Sequence, residues 1–127
     1  IVSTGTANTS QAFNLVTYGS FKLGVMGYSN DFYPSSGANI FDNRWHFVGA
    51  TANGSSTTRT YVDAVLDNVG TITYNTTGQN NYIAMSNHAG SEAYWSGEIS
   101  TVLIYSRELS ASEISSLYNF MRGRFGV

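Results

Sequence analysis

Two polar segments of the chain combine aromatic rings with amide and imidazole groups. The first is Tyr28-Ser29-Asn30-Asp31-Phe32-Tyr33, and the second is Ser86-Asn87-His88, with Tyr94 shortly after it. These groups suit carbohydrate, because a ring stacks on the apolar face of a sugar and amides pair with its hydroxyls. The alternative is that both segments are ordinary polar loops. The candidate carbohydrate-binding residues are Tyr28, Asn30, Tyr33, Asn87, His88 and Tyr94.

Two acid–amide pairs, Asn30-Asp31 and Asp42-Asn43, could supply oxygen ligands to a cation. Calcium takes several oxygen ligands, carboxylates among them, from a flexible loop. Since the two pairs flank one loop, Asp31 and Asp42 are the candidate ligands if calcium is bound. The alternative is that each acid forms an Asx turn or cap, and the chain then needs no cofactor.

The acidic residues lack the pattern that glycoside hydrolysis requires. That chemistry needs two carboxylates facing one cleft, which acids at alternate positions of one strand provide. Glu92 and Glu98 are not at alternate positions, and no other run of alternating acids exists. Neither His46 nor His88 has distinctive Ser and Asp partners for a nucleophilic triad. We therefore expect that the protein is not an enzyme.

The composition excludes several classes of partner and site. Only 11% of the 127 residues are charged, the formal net charge is −2, and there is no cysteine. The chain therefore lacks the basic surface that binds nucleic acid, and it cannot form disulfides or thiolate metal sites. No apolar run reaches the roughly 18 residues of a membrane helix. Abundant Ser, Thr, Asn and Gly are typical of extracellular, cell-surface and virion proteins.

Most of the chain shows short apolar segments separated by turn clusters. This pattern predicts an all-β sandwich or barrel, which we expect to form one domain over residues 1–127. The predicted strands cover residues 12–17, 21–26, 45–52, 58–62, 65–66, 70–74, 82–85 and 100–105.

A single helix is predicted near the C-terminus. Ser110 and Glu113 have the spacing of a capping box, and Leu109 and Ile114 flank it as a hydrophobic staple. Gly123 has the position of a left-handed terminator, so the helix is predicted over residues 111–122. The stripe predicted to pack on the domain is Ile114, Leu117, Tyr118 and Met121.

Two stretches resemble a known family. Trp45-His46-Phe47-Val48-Gly49-Ala50-Thr51-Ala52, followed by Tyr61-Val62-Asp63-Ala64, resembles the central strand pair of laminin G-like domains. These domains belong to the concanavalin A-like lectin and glucanase superfamily. Trp95-Ser96-Gly97-Glu98-Ile99 and Ile104-Tyr105-Ser106-Arg107-Glu108-Leu109 resemble its closing motif. Departures are Ala64, where the family has glycine, and Ser100, where it has aspartate.

The resemblance implies an antiparallel two-sheet jelly roll that binds glycans or proteins without catalysis, sometimes with calcium. Trp45 and Trp95 fall at core positions of the motif and are interpreted as packing residues. Ile1-Val2-Ser3-Thr4-Gly5 resembles about the fourth strand of the family, so its opening strands are expected to be missing. A neighbouring subunit or domain would then cover an open sheet edge.

The chain's end suggests a second functional class. Met121-Arg122-Gly123-Arg124-Phe125-Gly126-Val127 is similar to the ending of such domains in structural proteins of bacterial viruses. Phe120 and Phe125 fall off the packing stripe and are interface candidates. The leading hypothesis is a carbohydrate-binding or adhesion module of an extracellular or virion surface protein. The alternative is a decoration or assembly subunit whose contacts are with other proteins.

Overall fold

The structure is a computed structural model that describes residues 1–19, 22–54, 57–78, 81–88 and 91–126, without the side chains of residues 87, 88, 91 and 92. It contains nine strands and one helix in the described part. The strands are β1 (Val2–Gly5), β2 (Ala12–Tyr18), β3 (Lys22–Met26), β4 (Val48–Ala52), β5 (Thr58–Val62), β6 (Val65–Gly70), β7 (Asn81–Ile83), β8 (Met85–His88) and β9 (Ser91–Tyr94), and the helix is α1 (Ala111–Phe125).

Two antiparallel sheets hold the main core between them. The first sheet has the order β3-β2-β1-β7 and the second the order β4-β5-β6, while β8 and β9 form a separate hairpin. Alternation along each strand sends every second side chain to the other face. The inner faces join Leu15, Leu23 and Val25 of the first sheet to Val62 of the second, with Tyr74 packed among them. This arrangement confirms the predicted antiparallel β-sandwich.

The first turns of the helix pack beside the second sheet, on the side opposite the main core. There Tyr61 of β5 packs with Leu109 and Ile114 in a smaller cluster. Both bonds of the capping box between Ser110 and Glu113 are present, so the predicted start of α1 is confirmed. The predicted end is wrong, because the left-handed terminating residue is Gly126 rather than Gly123. No helix in the described ranges is long and apolar enough to cross a membrane.

Two predicted strands are wrong. Strand β6 ends at Gly70, so residues 71–74 are not part of the sheet. Tyr74 packs in the core instead, with its ring edge-on to that of Phe13 at 5.2 Å between ring centroids. Residues 100–105 form no strand, because no neighbouring strand in the described part of the chain pairs with them. Leu103 and Ile104 are consequently exposed.

The region predicted as one strand over 82–85 and a following loop is instead two strands and a hairpin. Ala84 has a φ of 64° and separates β7 from β8. Its amide donates to the carbonyl of Ile1 at 2.9 Å, and its carbonyl accepts from the amide of Trp95 at 2.7 Å. Ala84 thus joins the β8–β9 hairpin to the first sheet.

Candidate functional site

A pocket of about 260 Å³ lies between the outer face of the first sheet and the β8–β9 hairpin. The sheet contributes Val16 and Met26, which point away from the core because Leu15 and Val25 point into it. Four aromatic side chains line the pocket, two from each side: Tyr18, Tyr33, Tyr94 and Trp95.

The first wall consists of Tyr18 and Tyr33. Their ring centroids are 4.4 Å apart, with 36° between the ring planes. The Tyr18 hydroxyl donates to the carbonyl of Pro34, which holds the Tyr33 loop against β2. A Cβ at Gly24 would lie 2.9 Å from the Tyr18 ring and from the Phe32 carbonyl. Glycine at position 24 therefore lets this wall pack directly on the sheet.

The second wall comes from the end of the hairpin. Tyr94 is 69% exposed at the rim, and Tyr33 opposite is 42% exposed, so both rings present surface to a ligand. Trp95 is fixed more firmly: its amide bonds to Ala84, and its ring lies 5.5 Å from that of Phe41. On this side the pocket is thus lined by one exposed aromatic residue, Tyr94, and one well-anchored aromatic residue, Trp95.

Two polar atoms at the pocket have no hydrogen-bond partner within the described part of the chain. They are the Oγ of Ser86 and the Nε1 of Trp95, and both are inaccessible to solvent. Ser86 itself is only 7% exposed. A buried hydroxyl without a partner costs free energy, since it has lost its bonds to water. Such groups in a native structure call for an explanation.

Two carboxylates, those of Asp31 and Asp67, act on the tyrosines of the first wall of the pocket. None of the described side chains that line it is charged, and Ile1, whose amino group donates to the Leu15 carbonyl at 2.8 Å, is also a lining residue. Burial raises the pKa of Tyr33 to about 12, with further contributions from the Asp31 carboxylate and from Tyr18. Burial, followed by the charge of Asp67, also raises the pKa of Tyr18. Both tyrosines are therefore neutral hydrogen-bonding groups at physiological pH.

The structure brings together two of the six residues proposed for carbohydrate. Tyr33 and Tyr94 line the same pocket, whereas Tyr28 and Asn30 do not. The Nδ2 of Asn30 donates to the Ser10 hydroxyl at 2.8 Å and to the Thr73 carbonyl at 2.9 Å, so this amide braces its own loop.

Asn87 and His88 lie in strand β8 rather than in the loop predicted for them. Their side chains are outside the described residues, and their role stays a prediction.

Tyr18 and Trp95 line the pocket but were not proposed from the sequence as binding residues, and Ser86 was only part of the second polar segment, not one of the six candidate residues. Tyr18 ends a strand directly before a glycine turn, which gave no sign that it meets Tyr33. The interpretation of Trp95 as a packing residue captured its contact with Phe41 but not its place at the pocket. Trp45, also interpreted as packing, is exposed on one side and lies 5.2 Å from the Phe125 ring.

The two candidate calcium ligands are each bound by protein groups. Asp31 accepts the Gly27 amide at 2.9 Å. The Oδ1 of Asp42 lies 2.9 Å from the Nε2 of His46 and accepts a hydrogen bond from the Arg44 amide at 3.1 Å. Within the described ranges, no three acidic or histidine side chains are grouped to hold a metal ion. The calcium site stays a prediction.

His46 bridges two carboxylates near the second sheet. Its Nδ1 lies 2.8 Å from the Oδ2 of Asp63, opposite the contact with Asp42. The other Asp63 oxygen accepts the Phe47 amide at 2.9 Å. Asp63 and Ala64 both have positive φ, 51° and 64°, as a two-residue hairpin turn requires. This cluster therefore ties the segment before β4 to the β5–β6 turn.

A larger groove of about 1150 Å³ opens beside β4, which is the outer strand of the second sheet. Apolar residues from both sheets line it, including Phe13, Leu15 and Ala50, and the extended segment 98–105 forms its far side. Of the two interface candidates, Phe120 is 89% exposed on α1, whereas Phe125 packs on Trp45.

The comparisons with known proteins agree with this architecture. A search of curated proteins gave no significant match. A crystal structure of an S-layer domain-containing protein from Clostridium thermocellum matches with a TM-score of 0.53 and 21% identity. The match covers 93% of this chain and 61% of that one, so this chain spans less than two thirds of its length. That likeness supports the fold.

The family comparison covers most of the sandwich and the start of the helix. A laminin G family model, described as concanavalin A-like lectin/glucanases superfamily, matches residues 1–115. The match includes both sheets, the pocket and the capping box of α1. The chain belongs to the laminin G-like family of the concanavalin A-like lectin/glucanase superfamily.

Proposed function

We propose that residues 1–127 act as one non-catalytic carbohydrate-binding module of an extracellular, cell-surface or virion protein. The observation that carries this proposal is the convergence of Tyr33 and Tyr94, from distant parts of the chain, on one pocket. Aromatic walls with a few polar groups are what a sugar ring requires, since its faces are apolar and its edge carries hydroxyls.

The size of the pocket supports binding of one sugar residue at a time. Its 260 Å³ is slightly below the ~300–1,000 Å³ of pockets for drug-sized ligands. The surface location is supported by the family and by the printed name of the similar crystal structure, an S-layer domain-containing protein. The sequence supports a non-catalytic role, because it contains no run of acids at alternate positions that would place two carboxylates in one cleft.

A glycan array tests this proposal. The purified chain, shown to be folded by circular dichroism, is applied with calcium and, in parallel, with EDTA. We expect saturable binding to a related set of glycans and loss of that binding in Tyr94→Ala. Loss in EDTA would support Asp31 and Asp42 as calcium ligands. Absence of binding by the folded protein would contradict the carbohydrate proposal.

The groove beside β4 favours a second candidate function, assembly with a neighbouring subunit. An outer strand offers unpaired backbone groups that an extended segment can pair with. The apolar residues Leu103 and Ile104 of the segment across the groove are exposed. In this role a strand from the neighbour would fill the groove. Sedimentation velocity tests it: we expect concentration-dependent association that Ile104→Ser weakens, and a strictly monomeric protein would contradict it.

A further inference from the structure

The second sheet has a free edge at β4. The Phe47 carbonyl accepts a hydrogen bond from the Asp63 amide at 2.8 Å, so Phe47 directs its backbone groups towards the β5 side. Successive residues of an antiparallel strand direct these groups to opposite sides. The described part of the chain places no further strand beyond β4. Three residues therefore direct their N–H and C=O groups towards the free edge: Val48, Ala50 and Ala52.

The core is also open along β4. The same three residues of β4 pack against the main core, and their register partners on β5 share that inner face. The partners Thr58, Thr60 and Val62 are at most 6% exposed, whereas the residues of β4 are only partly buried. The inner face of the sheet is thus covered under β5 and uncovered under β4.

The groove beside β4 runs between two stretches of backbone. It contacts every residue from 44 to 54 and every residue from 98 to 109. Because the side chains of a strand alternate between its faces, a cavity that contacts consecutive residues lies along the strand's edge. The groove therefore separates the free edge of β4 from segment 98–105. Within the described ranges, no backbone hydrogen bond joins the two.

Segment 98–105 contains a strand-favouring run, residues 102–105, which is Val-Leu-Ile-Tyr. Its last three residues are between 45% and 71% exposed. Glu98 precedes this run, and Arg107, whose guanidinium also binds Glu113, follows it. Two copies of the segment lying antiparallel would place the acidic start of each near the basic end of the other. The segment is thus complementary both to the apolar groove and to itself.

We infer that segment 98–105 of a second copy of this chain fills the groove. It pairs with β4 on one side and with segment 98–105 of the first copy on the other. A two-fold axis between the two segments makes the contact reciprocal, since each segment then lies in the other copy's groove. The second sheets of both copies thereby join into one continuous sheet. This inference rests on the proposed assembly role and names both the partner and the strand that it contributes.

Single-cysteine variants test the two-fold contact, because the chain contains no cysteine of its own. Near a two-fold axis, a residue lies close enough to its own copy for a disulfide to form. We expect oxidation to link at least one variant of the segment into a dimer, and to leave Val65→Cys, on the opposite edge strand β6, unlinked. No linkage above that of Val65→Cys would overturn the inference. The variants are Thr101→Cys, Val102→Cys, Leu103→Cys, Ile104→Cys and Tyr105→Cys.

Sedimentation velocity measures the strength of the dimer. Because the interface buries the Ile104 side chain, Ile104→Ser is expected to raise the dimer Kd at least about tenfold. Val65→Ser is the matched control, since Val65 is 69% exposed and Ile104 is 71% exposed. It is expected to dimerise like the parent protein. An equal loss in both variants would overturn the inference.

Amide hydrogen exchange by NMR shows whether the free edge of β4 is used. The Ala50 and Ala52 amides are expected to exchange quickly in dilute protein and slowly in the dimer. The Thr51 amide faces β5 and is expected to exchange slowly in both. Slow exchange of Ala50 in the monomer would mean that the chain's own segment pairs with β4, and would overturn the inference.

Two outcomes separate this inference from the proposed assembly role. Association that persists in Ile104→Ser and leaves the Ala50 amide unprotected would overturn this interface, while assembly through another surface would stand. A folded protein that stays monomeric at every concentration would overturn the assembly role and the inference together. Neither outcome affects the carbohydrate proposal, which the glycan array tests.

Discussion

The Nδ1 of His46 lies 2.8 Å from the Oδ2 of Asp63, and the opposite ring nitrogen lies 2.9 Å from Asp42. Partial burial lowers the pKa of His46, but the hydrogen bonds to Asp63 and Asp42 outweigh this effect and raise its pKa above 6.5. The protonated imidazole donates to both carboxylates, whereas the neutral ring can donate to only one.

The contacts of His46 with Asp63 and Asp42 predict that the free energy of unfolding falls as the pH rises. Because the folded-state pKa of His46 is raised, its contribution is complete below pH 6.5 and is lost as the pH rises through the folded value. We expect the loss in free energy of unfolding to be at most about 1 kcal/mol, as for a partly exposed ion pair. Urea denaturation between pH 5.5 and 8.5 measures it. His46→Gln is expected to abolish this dependence and His88→Gln to keep it; a parent protein without the dependence would contradict the prediction.

Removing either rim tyrosine of the pocket is expected to weaken sugar binding without unfolding the protein. Stacking on one ring is worth roughly 0.5–1.5 kcal/mol, so Tyr33→Ala or Tyr94→Ala is expected to lower affinity about threefold to tenfold. Tyr28→Ala is the matched control, because Tyr28 does not line the pocket. Calorimetry with the strongest array glycan gives the values. A larger loss of affinity in Tyr28→Ala than in Tyr94→Ala would mean that the sugar binds outside this pocket.

Relieving the left-handed backbone at Ala64 is expected to stabilise the protein. A left-handed conformation costs a residue with a Cβ roughly 1–2 kcal/mol, whereas glycine adopts it freely. Ala64 also packs beside the Tyr61 cluster, so loss of its methyl group offsets part of the gain. We expect Ala64→Gly to raise the free energy of unfolding by about 0.5–1 kcal/mol. Ala38→Gly, without a positive φ, is the control; equal gains in both variants would exclude this explanation.

The two phenylalanines of the C-terminal region are expected to respond differently to truncation. Phe120 is 89% exposed, so Phe120→Ala is expected to change the free energy of unfolding by less than about 0.5 kcal/mol. Phe125 packs on Trp45, and Phe125→Ala is expected to cost roughly 1–2 kcal/mol. Chemical denaturation compares them. If Phe120→Ala weakens self-association without changing the free energy of unfolding, Phe120 belongs to an interface. If both variants lower the free energy of unfolding equally, the exposed role of Phe120 and the packing role of Phe125 are contradicted.

Local patterns were sufficient to predict much of the fold. The Ser110–Glu113 capping box and the strand-favouring residues of Thr58–Val62 act through neighbours in sequence, and both the helix start and the strand appear as expected. Residues 100–105 are equally rich in strand-favouring residues but form no strand. A strand exists only with a partner to pair with, and the residues themselves do not say whether one is present.

The candidate site was harder to predict because tertiary packing forms it. The rings of Tyr33 and Tyr94 could be proposed individually, since exposed aromatics in polar segments suggest binding. The two rings line one pocket because Gly24 leaves space for the Tyr18 ring that packs on Tyr33, and because the positive φ of Ala84 turns the chain from β7 into the β8–β9 hairpin. The sequence also cannot predict that the Ser86 hydroxyl has no hydrogen-bond partner among the described residues, because a residue type does not reveal whether its hydrogen bonds are made.

The position of α1 against Tyr61 has a consequence for synthesis on the ribosome. Strands β4, β5 and β6 leave the ribosome before α1, whose Ile114 packs against Tyr61 of β5. Until α1 emerges, the nascent chain carries an uncovered Tyr61 beside the free edge of β4, a combination that favours contacts with other chains. The emergence of α1 therefore ends the period in which Tyr61 lacks its packing partner Ile114.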